Sequence, residues 1–197
     1  IFGIASAMKY VHSLGFIHRD LKPANVLLDE FLYPKLADFG LSKSIKENKK
    51  DKKSALKSGL KGTLAFCAPE IFTEFEYSYE GDVYSFGMIV YEIMTNKIPF
   101  AKLNSLNQLF NEVVIKSSRP EISNEIPECY RQLIECCWSQ NPEDRPSFDD
   151  IVKILKTDSR FITAEVESAK YFEYIKKVDN SMIGFYKGKK LFQEDDL

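Results

Sequence analysis

The sequence predicts a mainly α-helical fold of the α+β kind, in which two short strands are set among helices. Three observations carry that expectation. Apolar residues recur at helical spacing in five separate stretches, at 1–15, 81–96, 106–115, 127–138 and 147–155. Strand character is confined to Val26–Leu28 and to the segment that opens at Lys35. A chain of 197 residues with 44% hydrophobic content is long enough for one sizeable domain with its own core.

In chain order, Ile4, Met8, Val11 and Leu14 share one helical face, and Gly15 stands where that helix should end. His12, near its end, reads as structural and receives no chemical role. The stretch from His18 to Asp29 reads HRDLKPANVLLD and gathers an acid, two cations, an amide and an apolar triplet. Lys22 precedes Pro23 and is biased toward extended backbone, and Pro23 has no N–H to donate, so Asp20 to Asn25 is expected to be a rigid loop. Val26, Leu27 and Leu28 suit a short buried strand. A turn is expected at Tyr33-Pro34, after which Lys35 to Leu41 carries a second acid, Asp38, at a strand end. Gly40 would permit a sharp change of direction just past it.

An acid, a lysine and an amide fixed on a loop between packed elements suit a phosphate and metal site. The amide oxygen of Asn25 can ligate a hard cation, and Lys22 can meet phosphate as a point charge. Taken alone, an Asp before a strand reads as a solvated turn residue or a helix cap. Asp20 gains weight only from its combination with Asp38.

Past Gly40 the composition shifts. Lys43 to Lys61 holds eight lysines against Glu47 and Asp51. Such a run reads as a solvated loop, and it also has the charge to attract acidic partners or substrates. Residues 81–96 are apolar nearly all round, so this helix should be buried on most sides, and Asp82 near its start should be paired because a buried lone carboxylate is costly. Lys97 to Phe100 ends it. Helical patterns follow near Leu106–Ile115 and Pro127–Trp138. Asn141 to Pro146 is a turn, with Ser147 capping a last helix to about Leu155. Beyond it, Val166 to Val178 has the pattern of an aromatic-rich helix, and the terminal Phe192–Leu197 is expected to fray.

Net charge is −2, which argues for neither nucleic acid nor membrane binding. The most apolar stretch, Ser85 to Met94, is too short to span a bilayer and contains Glu92. Cys67, Cys129, Cys136 and Cys137 form no CxxC pair and have no histidine nearby, so they read as buried free thiols of a reducing compartment, the cytosol, and not as a zinc site.

HRDLKPAN followed by Asp38-Phe39-Gly40 resembles the catalytic loop and the magnesium-binding turn of protein kinases. Gly62-Thr63 and Ala68-Pro69-Glu70 resemble the end of the family's activation loop, and CW…NPEDRPSF the end of its large lobe. The resemblance covers residues 1–156 and implies a kinase large lobe. In its terms Asp20 accepts the proton of a protein hydroxyl, Lys22 neutralises the transferring phosphate of ATP, and Asn25 and Asp38 bind Mg2+. His18 packs and hydrogen-bonds to hold the loop, Arg19 awaits a phosphate, Asp82 accepts from the loop backbone, and Arg145 pairs with Glu70. Ser54, Ser58 and Thr63 are the hydroxyls of the activation loop. Lys22 after Leu21, with Gly62-Thr63, looks like serine/threonine specificity. Asp82–Met94 and Cys137-Trp138…Arg145-Pro146 look like tyrosine kinases, and the mixture points to the tyrosine-kinase-like branch.

One departure stands out. The chain contains no GxGxxG, and Lys9 is the only lysine ahead of the catalytic loop. The expectation is therefore a large lobe, residues 1–156, without the small lobe that would hold adenine, followed by an extension of unknown role, residues 157–197. The implied activity is ATP-dependent transfer to protein substrates, for which that small lobe would be required. The alternative is a pseudokinase or scaffold that uses the lobe to bind proteins.

Overall fold

The computed structural model describes residues 1–44, 63–103 and 105–189. The first helix, α1, spans Phe2–Ser13 and buries Phe2, Ile4, Ala5, Met8 and Val11. Gly15 ends it with a φ of +79°, the left-handed conformation that lets the chain turn back at no steric cost.

Two nested antiparallel pairs follow. β1 (Phe16–Ile17) pairs with β4 (Lys43–Ser44), and inside that closure β2 (Val26–Leu28) pairs with β3 (Pro34–Leu36) in the register Val26 to Leu36 and Leu28 to Pro34. The turn between β2 and β3 lies earlier than Tyr33-Pro34. Asp29 builds it, its Oδ1 accepting from the N–H groups of Phe31 at 3.0 Å and Tyr33 at 2.9 Å, while Leu32 takes a positive φ. Pro34 instead opens β3, a strand position where a missing N–H costs nothing. The strand at Val26–Leu28 forms, yet it is not buried. Leu27 and Leu28 point to opposite faces of the strand and both are exposed.

α2 (Pro69–Thr73) starts on proline, and α3 (Tyr79–Thr95) is the axis of the molecule. Ser78 caps α3 by accepting from the Gly81 N–H at 3.1 Å, and Asn96 closes it in the left-handed region. Every residue from Gly81 to Tyr91 is buried. α5 (Glu128–Cys137) packs so closely against it that a Cβ on Gly87 would stand 2.7 Å from the Cys137 Cβ. α4 (Leu106–Phe110) runs into a π turn over Asn111–Ile115, which together bury Leu109 and Val113.

α6 (Phe148–Thr157) begins with a capping box between Ser147 and Asp150 and packs across α1 with Phe148, Ile151 and Leu155. α7 (Ser168–Lys189) starts two residues later than the pattern at Val166 suggests and runs well past Val178. Of the four thiols, Cys129 and Cys137 are buried, but Cys136 faces solvent, standing about 100° round α5 from Cys137. None of the described helices is long and apolar enough to cross a membrane.

Candidate active site

The loop between β1 and β2 is held from below by α3. Asp82, at the buried start of α3, accepts from the backbone N–H of His18 at 2.8 Å through Oδ2 and from that of Arg19 at 3.0 Å through Oδ1. Arg19 has a φ of +70°, a conformation that L residues keep only when their surroundings impose it. Two N–H bonds to one carboxylate supply such an imposition. His12 adds a third contact, its Nε2 lying 2.9 Å from Asp82 Oδ2 while its ring rests on Tyr79, 4.3 Å between centroids. Asp82 is thus buried with its charge met on every accessible side.

Above this anchor stands Asp20, itself buried. Lys22 Nζ donates to its Oδ2 at 2.6 Å, and Asn25 Nδ2 donates to the same oxygen at 3.0 Å and to the Asp20 carbonyl at 2.7 Å. The expected rigid loop tightens at Pro23–Asn25 into one turn of 3-10 helix. With its N–H groups committed to Asp20, Asn25 keeps Oδ1 as an acceptor for a cation. Asp38 reaches the same end of the hairpin, because the Ala37 N–H bonds the Asn25 carbonyl at 2.9 Å. The sharp change of direction falls on Asp38 itself, at φ +60° and ψ +63°, and not on Gly40, which sits inside a 3-10 turn at Phe39–Leu41. Aspartate tolerates the left-handed region better than most residues, so no glycine is needed there.

His18 packs as its place suggests, its ring 4.9 Å from that of Phe39, but neither ring nitrogen finds a hydrogen-bond partner among the described residues. The backbone does the holding instead: the His18 N–H goes to Asp82, and its carbonyl accepts from Ser42 Oγ at 3.1 Å. Arg19 lies over the Tyr77 ring at 4.9 Å, and burial pushes the Tyr77 hydroxyl up to about 12. Ser54 and Ser58 lie outside the described residues, and Thr63 opens a 3-10 turn over Thr63–Phe66. Ser85 Oγ donates to the Phe66 carbonyl at 2.8 Å and ties that turn to α3.

Glu70, in the first turn of α2, meets Arg145 in a two-pronged pair, Nη1 to Oε1 at 2.7 Å and Nη2 to Oε2 at 2.9 Å. Arg145 also donates to the carbonyls of Ser139 at 3.0 Å and Glu80 at 3.0 Å. Two further contributors have contacts that no local sequence pattern foretells. His12 carries no spacing that singles it out, and its link to Asp82 spans 70 positions. Arg119 donates to the carbonyls of Trp138 at 2.8 Å and Ser118 at 2.9 Å and stacks over Tyr84, fastening the segment after the π turn to the end of α5.

A divalent cation with oxygen preference fits this corner. One amide oxygen and one exposed carboxylate suit Mg2+, which keeps waters and phosphate oxygens for its remaining positions. They do not make a closed cage, and no group of three or more His, Cys, Asp or Glu poised for a metal occurs among the described residues.

The protein kinase domain family profile matches residues 1–155. Among known proteins, the chain is 39% identical over 160 residues to a probable LIM domain-containing serine/threonine-protein kinase of Dictyostelium discoideum, covering 81% of this chain and 23% of that protein. It is 39% identical over 164 residues to the dual specificity protein kinase shkC of the same organism, covering 82% and 31%. A putative mitogen-activated protein kinase kinase kinase 7-like protein of Drosophila melanogaster is 34% identical over 187 residues, covering 91% and 44%. The chain thus spans less than half the length of each of these relatives.

Proposed function

The chain belongs to the protein kinase domain family, and from that premise we propose that it is the large lobe of a serine/threonine kinase that transfers the γ-phosphate of ATP to protein hydroxyls. The observation that carries this reading is the Asp20 carboxylate, buried and fixed between Lys22 Nζ at 2.6 Å and Asn25 Nδ2 at 3.0 Å. Phosphoryl transfer asks little covalent chemistry of a protein and much positioning and charge compensation. Asp20 takes the proton of the substrate hydroxyl as its oxygen bonds to phosphorus and the bond to the ADP leaving group breaks. Lys22 offsets charge on the transferring group, and Asn25 Oδ1 and the Asp38 carboxylate would hold Mg2+. The metal, when bound, neutralises the phosphate oxygens.

Asp82 and His18 position the loop, and the Glu70–Arg145 pair supports the segment that opens at Thr63. Ser54, Ser58 and Thr63 belong to the activation loop, where a phosphate would pair with Arg19 and the surrounding lysines. Lys22 after Leu21 and Gly62-Thr63 support serine/threonine specificity, and the run through α3 together with Cys137-Trp138 supports the tyrosine-kinase-like branch. Residues 1–156 form the lobe and 157–197 an extension. By themselves these 197 residues are inactive in this reading, since no glycine-rich loop is present to cradle the phosphates.

Asp20→Asn in the full-length protein tests the role. Labelling of a protein substrate from radioactive ATP should fall by roughly 10²–10⁴-fold, the worth of a positioned proton acceptor, while the melting temperature stays near wild type. Near wild-type turnover would remove Asp20 from the chemistry.

A further inference from the structure

α7 lies beyond the matched kinase domain, and its buried side reaches the hairpin that carries the candidate metal ligands. The Tyr174 ring lies flat on Tyr33, with centroids 5.2 Å apart and planes 8° from parallel, and meets Phe2 of α1 edge-on at 6.4 Å. Tyr33 closes the β2–β3 turn, its N–H on Asp29 Oδ1 at 2.9 Å and its carbonyl accepting from the Asp29 N–H at 3.0 Å. α1, β3 and α7 converge at Gly3, where a Cβ would overlap the Tyr174 hydroxyl and stand 2.6 Å from Pro34 Cγ. α7 is anchored on both sides of Tyr174. Ile175 and Val178 are buried, the Tyr171 hydroxyl donates to the Leu155 carbonyl at 2.6 Å, and Lys156 pairs with Asp179 at 2.5 Å.

The hairpin needs that support. Two three-residue strands are marginal on their own, and here Leu27 and Leu28, on opposite faces of β2, are both exposed, so the pair buries little apolar surface of its own. Yet the register of this pair decides where Asn25, just before β2, stands relative to Asp38, two residues past β3. A slip of one residue would turn every side chain to the other face.

We propose that α7 is a built-in brace for the phosphate and metal site, with Tyr174 as the positioning residue that fixes the β2–β3 hairpin and, through it, the mutual placement of Asn25 and Asp38. This rests on reading Asn25 and Asp38 as metal ligands. Tyr174 touches neither of them. It acts by stacking, so its ring matters and its hydroxyl does not.

The test compares Tyr174→Leu, which keeps apolar bulk without a flat ring, with Tyr174→Phe in the full-length protein. Mn2+ serves as the probe ion, its binding with ATP followed by electron paramagnetic resonance, and amide exchange is followed at Asp29 and Ala37. Tyr174→Leu should weaken Mn2+·ATP binding by about three- to tenfold, the loss expected from one aromatic stack, speed exchange at both amides, and leave KM for the protein substrate unchanged. Tyr174→Phe should match wild type in all three. A Tyr174→Leu protein with a lowered melting temperature but wild-type Mn2+·ATP affinity and hairpin exchange would overturn the brace, as would a Phe variant as impaired as the Leu one. If the wild-type protein bound no Mn2+·ATP, the reading of the ligands would fail. The brace would then stand or fall on hairpin exchange, supported by faster exchange in Tyr174→Leu and ended by unchanged exchange.

Discussion

Arg145 is a buried cation whose donors nearly all find acceptors, two of them on the Glu70 carboxylate and others on backbone carbonyls. Removing either member of such a pair leaves a charge without compensation in the interior. Glu70→Ala and Arg145→Ala should therefore each destabilise the domain by about 3–5 kcal/mol in denaturant melts, and the double variant by less than the sum. Strictly additive losses would show that the two side chains do not share one interaction. This pair could be anticipated because both residues sit in motifs with a family resemblance. His12 could not, since what gives it meaning is a carboxylate on another helix. The same limit applies to Asp38. The sequence displays a glycine two residues later, and the eye assigns the turn to Gly40, whereas the left-handed residue is the aspartate. Which residue absorbs a turn depends on what the flanking hydrogen bonds demand, and those are non-local.

Helices are the elements that periodicity makes legible, and α1, α3, α5 and α6 fall where the apolar spacing places them, with ends marked by Gly15, Ser78, Asn96 and Ser147. The strands are less legible. Three apolar residues in a row at Val26–Leu28 signal burial only if something covers both faces, and here Leu27 on one face and Leu28 on the other are both exposed. The β2–β3 turn was masked by Pro34, while its actual builder, Asp29, looks like any surface acid until its two N–H partners are seen. Between helices, the contact of α3 with α5 is set by the absence of a side chain at Gly87. Gly87→Ala would push a methyl into the Cys137 Cβ at 2.7 Å, with the Trp138 backbone nitrogen close behind at 3.4 Å. Backbone cannot rotate away as a flexible side chain can, so the helices must part. The expected loss is about 1–3 kcal/mol, read as a drop in the thermal midpoint. An unchanged midpoint would mean that α5 is free to shift at this crossing.

At the scale of the whole molecule, the chemistry sits on one rim. Asp20 and Asn25 stand at the end of the β2–β3 hairpin, and Asp38 opens to solvent beside them, while α3 and the helices around it form the body below. The hairpin and the turn after Asp38 carry Leu27, Leu28, Phe31, Leu32, Phe39 and Leu41, all exposed. A surface of that apolar character invites association. Among the described residues nothing encloses a base or the outer phosphates of a nucleotide, and most of the rate of a transfer reaction comes from holding the reactants in line. Residues 1–197, purified alone, should therefore bind ATP weakly and leave a protein substrate unlabelled, and they should self-associate as concentration rises. In the proposed reading, the same residues joined behind a kinase small lobe and assayed beside them should bind ATP and label the substrate. Light scattering against concentration checks the first half, and radioactive transfer the second. Strong labelling by residues 1–197 alone would mean that the rim is itself a complete site, with Asn25, Asp38 and Lys22 sufficient to fix the nucleotide.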